Sequence, residues 1–450
     1  MRSERRHLWV AQLYALEPLA EGWSKQTDGR GRAYFYHAET GEHRTLDYCG
    51  RVPFAASLPG PFTPLNKSVG PLSSVVPGSP AGWLEMLRRY GSLPASEVLA
   101  PAIELAEKGF PLTKRGVKFF HSNFEPGERL SAETFPHPEV RRIYMGCGEV
   151  DYKFGDLVKN PELGTTMRLL AAHGADAYYR GEIAAKIVAH HEEIGGLFTA
   201  EDLASYAPTW AEPVETTYRG YRVTSGANFG VQTMQTLKLL EGFPLGSSGW
   251  EHNSPQTLHT IAESIKLAAE DRAMWGPGRK DARPTDVLLS KGYADERRAR
   301  IDQSRARNSA TAAQNYSDGT PAEAGDPMAW FKKQGSTTHF DVVDMDGNAL
   351  GCTHSLGSGF GSGITVPGTG VSLNNFLNWA DTNPASPAAI SGGMDASETD
   401  ISCVSPMFVW GRDGALNYAL GTPGSYGIPQ TTTQLLVNVL DYEMDMQAVS

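Results

Sequence analysis

Gly335-Ser336-Thr337-Thr338-His339-Phe340 decides how this chain is read, because it stands directly before an alternating strand, Asp341-Val342-Val343-Asp344, and a tight turn at Asp346-Gly347-Asn348. Paired threonines are common at strand starts for reasons of β-propensity alone. A threonine that opens a strand behind a small, flexible linker also has a chemical use. If the chain is cut before it, the freed α-amine, with an unperturbed pKa of about 7.7–8.0, can act as general base for the hydroxyl of the same residue.

Outward from that point the composition describes one large unit. The 450 residues are 40% hydrophobic and 20% charged, enough to bury a substantial core in one large domain or two to three ordinary ones. The formal net charge of −11, with no basic run or interleaved aromatic patch, argues against a nucleic-acid partner. Cys49, Cys147, Cys352 and Cys403 are far apart and lack paired spacing, so they read as reduced or buried thiols. The adjacent His190 and His191 fit a solvated helix face, no His-Glu-x-x-His occurs, and no metal is expected. Gly357-Ser-Gly-Phe-Gly-Ser-Gly363 has neither the lysine of a phosphate loop nor dinucleotide spacing. The apolar run between Met1 and Pro18 is interrupted by Gln12 and Glu17, which makes a poor secretory core, and no later run approaches a membrane span. The expectation is a soluble, cytoplasmic chain.

The periodicity predicts a helical shell of Trp83–Tyr90, Ser96–Lys108, Thr165–His173 and Gly181–His191. It adds a strand at Tyr218–Ser225 and helices at Val231–Leu240 and Pro255–Arg272. Ser304–Asp326, poor in apolar residues, reads as a mobile linker ahead of Thr337. Beyond Thr337 the period switches to two, with strands near 338–344, 348–355 and 401–410.

A set of motifs in fixed order then narrows the reading. It runs Gly78-Ser-Pro-Ala-Gly-Trp83, Arg89-Tyr-Gly-Ser-Leu-Pro94, Pro101-Ala-Ile-Glu-Leu-Ala-Glu-Lys-Gly-Phe110, Gly174-Ala-Asp-Ala-Tyr-Tyr-Arg-Gly181 and Gly195-Gly-Leu-Phe-Thr-Ala-Glu-Asp-Leu203. Tyr218-Arg-Gly-Tyr221, Ala268-Ala-Glu-Asp-Arg272, Thr337-Thr-His-Phe340, Phe360-Gly-Ser-Gly363, Val366-Pro-Gly-Thr-Gly370, Asn374-Asn375, Ser405-Pro406 and Gly421-Thr-Pro-Gly424 follow. From about Thr40 to the last residue the chain resembles the gamma-glutamyltransferase (gamma-glutamyltranspeptidase) family. The resemblance implies an α+β, four-layer αββα sandwich of N-terminal-nucleophile hydrolase type with a helical shell. It divides the chain into 49–336, a large-subunit part, and 337–450, a small-subunit part opening on the nucleophile Thr337. It gives Ser355, eighteen residues on, the hydroxyl that hydrogen-bonds the nucleophile, and Gly424 and Ser425 the backbone N–H groups of an oxyanion hole. The substrate implied is a small amide or acyl peptide, with an acceptor amine if transfer replaces hydrolysis. No cofactor is called for.

The departures from the family are as informative. Where it holds the zwitterionic head of a gamma-glutamyl group with an arginine, an asparagine, an amide or acidic residue, an aspartate and paired serines, this chain has Cys49, Gly357, Phe376, Trp379 and Ser402-Cys403. Losing an arginine fork and the amine acceptors removes both halves of that lock. Glutathione is therefore expected to be a poor substrate, and an acyl group without a free α-amine a better one. The family's first glycine-rich strand and last strands are not seen in these 450 residues, an incomplete sandwich that would expose sheet edges.

A competing pattern lies within residues 1–48. Gly22-Trp23, Gly31-Arg-Ala-Tyr34-Phe-Tyr36 and Glu39-Thr-Gly-Glu42 resemble the first two strands of a WW module, with Thr45 where the second tryptophan belongs. That resemblance implies a proline-rich peptide held by Trp23, Tyr34 and Tyr36 on a catalytically silent scaffold. The plain alternative is a hairpin feeding the main domain.

Overall fold

The computed structural model describes residues 30–63, 65–124, 128, 130, 137–145, 151–227, 229–275, 282–307, 336–384, 389–395 and 404–449. Two antiparallel sheets form its centre. The first contains β1 (Arg30–His37), β2 (Glu42–Tyr48), β3 (Thr209–Ala211), β6 (Ser336–Val343) and β7 (Ala349–Gly357), in the order β3-β2-β1-β7-β6. The second contains β4 (Val214–Tyr218), β5 (Tyr221–Ser225), β8 (Met407–Trp410) and β9 (Leu416–Leu420), in the order β9-β8-β5-β4.

Period-two alternation assigns the faces. In β1, Ala33 and Phe35 join a core with the helices Ser79–Tyr90, Ala95–Lys108, Pro161–His173 and Glu182–Glu193, while Tyr34 points the other way onto Phe408 of the second sheet. In β8, Phe408 and Trp410 face the first sheet, whereas Met407 and Val409 pack under the helices Phe229–Leu240, Pro255–Trp275 and Ile428–Leu440. The layers are therefore helix, sheet, sheet, helix. No helix among the described residues is long and apolar enough to cross a membrane.

The hairpin that resembles a WW module is not a module of its own. Its strand β1 pairs with β2 on one side and β7 on the other, so it lies inside the sheet. Tyr34 is fully buried, edge-on to Phe408 with ring centroids 4.3 Å apart, and Tyr36 meets Trp410 at 4.5 Å. Rings spent on the inter-sheet core cannot clamp a peptide. Trp23 lies outside the described residues.

Two further expectations are corrected. Tyr218–Ser225 is a hairpin, not one strand, because Arg219 and Gly220 both take positive φ (52° and 86°), as a two-residue type I′ turn requires. The arginine is held there from outside the turn: its guanidinium donates to Asp441 and to the carbonyls of Leu240, Glu241 and Phe243 at the end of helix Phe229–Leu240. The strand expected at 401–410 is confined to Met407–Trp410, with 401–403 outside the described residues. Of the expected linker, Ser304–Arg307 is described. Its Arg307 is tied to Glu263 and Glu270, and the rest lies outside the described residues.

His191 is not a solvated helix residue. It is fully buried, stacked on Phe198 at 4.0 Å, and neither ring nitrogen has a hydrogen-bond partner. Burial, with the neighbouring His190 charge second, lowers its pKa to about 3. The unfolded chain therefore binds a proton below about pH 6.5 that the folded chain refuses, so stability falls as pH falls through that window. Unfolding by urea at pH 7.5 and 5.5 should show His191→Phe losing about 1.4 kcal/mol less stability on acidification than the wild-type chain, whatever its effect at pH 7.5.

Candidate active site

Thr337 enters the first sheet on its edge strand, opposite Ser355. The ladder is regular from Val343 back to Thr337 and breaks there, for Ser336 pairs with Gly357 and one residue of β7 is skipped. Such a bulge re-aims the side chain next to it. Thr337 Oγ1 lies 3.0 Å from Ser355 Oγ, which in turn accepts the Gly357 N–H at 3.0 Å. Thr337 is partly exposed and Ser355 buried.

One register step further in, a polar row crosses four strands. Asp47, Arg32, Thr353 and His339 stand opposite one another in the β2-β1-β7-β6 ladder, on the face that looks at the second sheet. Arg32 pairs with Asp47 and donates to the carbonyls of Ala227 and Val404, so it ties the two sheets together. Burial works against its charge, but Asp47 offsets this and the guanidinium pKa is raised. His339 Nδ1 lies 2.8 Å from Thr353 Oγ1 and Nε2 2.8 Å from Asp341 Oδ2. Cys352, on the opposite face against Tyr48, is no rival nucleophile: burial pushes its thiol up to about 12.

The loop Gly421–Ser425 is braced at both ends. Gly421 packs so closely on the His339 ring that an added Cβ would stand 2.4 Å from Cε1. At the other end Ser425 holds a positive φ of 56°, unusual for a residue with a side chain, and its Oγ accepts the indole N–H of Trp379 at 2.9 Å. Gly424, at φ 129°, is exposed, and no described atom lies within 4 Å of where its Cβ would be.

Trp379 ends the 3-10 helix Phe376–Trp379, which two asparagines set in place. Asn374 bonds both backbone groups of Val75 and accepts the Phe376 N–H, and Asn375 bridges Ser68 and Ser358. Phe376 and Trp379 join Cys49, Val52, Ala56, Val75, Leu377, Ile390 and Val404 in one apolar cluster. The positions expected to line the substrate head thus pack on one another as an apolar wall. Ser402 and Cys403 lie outside the described residues.

The structure therefore brings Thr337 to Ser355, Gly357 to Trp379, and Trp379 to Ser425. The polar row, the asparagine brackets and the Trp379–Ser425 bond were not assigned roles from sequence. His339 stood inside the quoted motif, two residues from Thr337 and so on its face of the strand, which is the signal that could have placed it. The described residues contain no cluster of His, Cys, Asp and Glu suited to a metal ion.

Residues 28–450 match the family model described as gamma-glutamyltranspeptidase. The chain is 33% identical over 388 residues to the acylase ACY 1 proenzyme of Pseudomonas sp. (strain SE83), covering 84% of this chain and 63% of that one. It is 31% identical over 423 residues to the glutathione hydrolase proenzyme of Pseudomonas sp. (strain A14), covering 90% and 70%. Among solved structures it resembles the cephalosporin acylase of Bacillus halodurans, with a TM-score of 0.78 and 27% identity over 98% of this chain and 76% of that one. The match thus spans about 63% of that acylase proenzyme's length.

The buried pair Arg32–Asp47 should matter more to stability than exposed pairs. Asp47→Ala, which strands the guanidinium between the sheets, is expected to cost about 3–5 kcal/mol in urea unfolding. Lys108→Ala, which breaks a pair with Glu104 on an open helix face, should leave the midpoint where it is.

Proposed function

The chain belongs to the gamma-glutamyltranspeptidase family, and from that premise we propose that it is a self-processing amidohydrolase or acyltransferase whose nucleophile is Thr337. The observation that carries this reading is the 3.0 Å contact between the Thr337 and Ser355 hydroxyls at the register break of the β6–β7 ladder. Only a cut between Ser336 and Thr337 frees the amine that the mechanism needs. In the uncut chain, Thr337 Oγ1 attacks the Ser336 carbonyl while its proton is relayed through the Ser355 hydroxyl to the departing Thr337 nitrogen. The C–N bond breaks as the C–O bond forms, and water then hydrolyses the ester to a Ser336 carboxylate and a free Thr337 amine.

In turnover the amine takes the hydroxyl proton, directly or through water, as Oγ1 attacks a substrate amide. The backbone N–H groups of Gly424 and Ser425 steady the oxyanion, and the proton passes to the departing amine. Water releases the acid, or a second amine takes the acyl group. Two relatives bear acylase names, and the apolar cluster of Cys49, Phe376 and Trp379 supports an acyl group that carries no ammonium or carboxylate head. Among the described residues the arginines beside this cluster are already paired, Arg32 with Asp47 and Arg51 with Asp395, so a zwitterion there would find no free arginine fork.

Intact masses test the processing step. The wild-type chain should yield two fragments split between Ser336 and Thr337, and Thr337→Ala a single chain of 48.8 kDa with no turnover. An active, uncleaved variant defeats the reading. Because the amine must be neutral to accept a proton, kcat/KM should rise with pH up to about 7.7–8.0 and then level. In a p-nitroanilide panel, apolar and aromatic acyl groups should be cleaved faster than γ-glutamyl.

A further inference from the structure

We propose that Trp379 is a positioning residue for the oxyanion loop, its indole N–H clamping Ser425 in the left-handed conformation that sets the direction of the Gly424 and Ser425 amides. This rests on the reading of that loop given above and adds a component that the reading did not need. Trp379, where the family resemblance implies an aspartate, and Ser425, where it implies the second glycine of the oxyanion loop, are the two ends of one hydrogen bond. A glycine at 425 would reach positive φ freely, but a serine pays a steric penalty there, roughly 1–2 kcal/mol by the general preference against that region, unless its surroundings hold it. The indole supplies that hold.

The clamp is rigid at its own end. Trp379 is 9% exposed and leans on Phe376, with ring centroids 5.6 Å apart. The buried ammonium of Lys67 donates to the carbonyls of Asn378 and Ala380, on either side of Trp379 in the chain. Ser68 Oγ donates to the Asn378 side chain. The ring also reaches the nucleophile's support, for a Cβ on Gly357 would come within 2.9 Å of it, and Gly357 N–H is bonded to Ser355 Oγ. Trp379 therefore spans the gap between the Thr337–Ser355 pair and the amide loop. Since its N–H is spent on Ser425, the indole offers substrate a ring and no donor.

The test is a double-mutant cycle on the processed enzyme with the p-nitroanilide it turns over fastest. Trp379→Phe keeps a ring and removes the donor, and kcat should fall about tenfold with KM changed less than about threefold. In a Ser425→Gly background, where glycine needs no clamp, the same substitution should change kcat by less than about twofold. An equal loss in both backgrounds overturns the proposal and leaves the indole as packing alone. An independent readout uses no substrate. The Trp379 indole N–H resonance, assigned by its absence in Trp379→Phe, should shift in Ser425→Ala, and an unmoved resonance overturns the clamp. If no amide is cleaved and Thr337 proves inert, the proposed activity fails while the resonance still decides the clamp.

Discussion

Everything chemical in this fold depends on the pairing of β6 with β7. That hairpin ladder decides which hydroxyl stands opposite Thr337 and which residues share its face of the strand. Because successive side chains alternate, Thr337, His339 and Asp341 all look toward the second sheet, and Ser355 and Thr353 look with them. A slip of one residue would turn Thr337 into the helical layer. The pairing is secured further across the sheet, where the Asp47–Arg32 pair and the Arg32 contacts to Ala227 and Val404 lock the same register into the second layer.

The apolar cluster and the polar row divide the labour of the site. Where the family resemblance implies charge that grips a substrate, this chain packs Cys49, Phe376 and Trp379 in one apolar cluster. Its buried polar groups are kept instead for holding backbone: Asn374 on Val75, Asn375 on Ser358, Lys67 on the 3-10 helix. Buried polar groups with full partners fix one geometry, and an apolar wall fixes little beyond shape. On the proposed function, precision is kept at the reacting end and relaxed at the recognition end.

Most of the helical layers were legible in the sequence because long segments with helical spacing announce themselves: Pro255–Trp275 and Ala95–Lys108 lie within a few residues of the periodicity. The Thr337–Ser355 contact was implied by the family resemblance, and the tight turn at Asp346–Asn348 suits the hairpin that makes it. What escaped had a tertiary cause. Arg219 turns the chain only because the end of a helix and Asp441 take its guanidinium. Tyr34 looks like a peptide-binding ring until β7, more than 300 residues away, covers its strand. His191 sits on a charged helix, yet Phe198 closes over it. The bond between Trp379 and Ser425 joins two residues 46 apart, and no local pattern could pair them.

The place of β1 inside the first sheet has an engineering consequence. Its first residue, Arg30, stands opposite Ser355, the partner of Thr337, so the chain enters the sheet at the nucleophile's end, one strand spacing of about 4.8 Å from that serine. A bulky group attached at Arg30 would lie one strand from Ser355, whereas one attached on the helix Met446–Val449, whose residues are all unburied, would lie on the outer helical layer. The choice between these two attachment points is therefore a choice about access to the threonine.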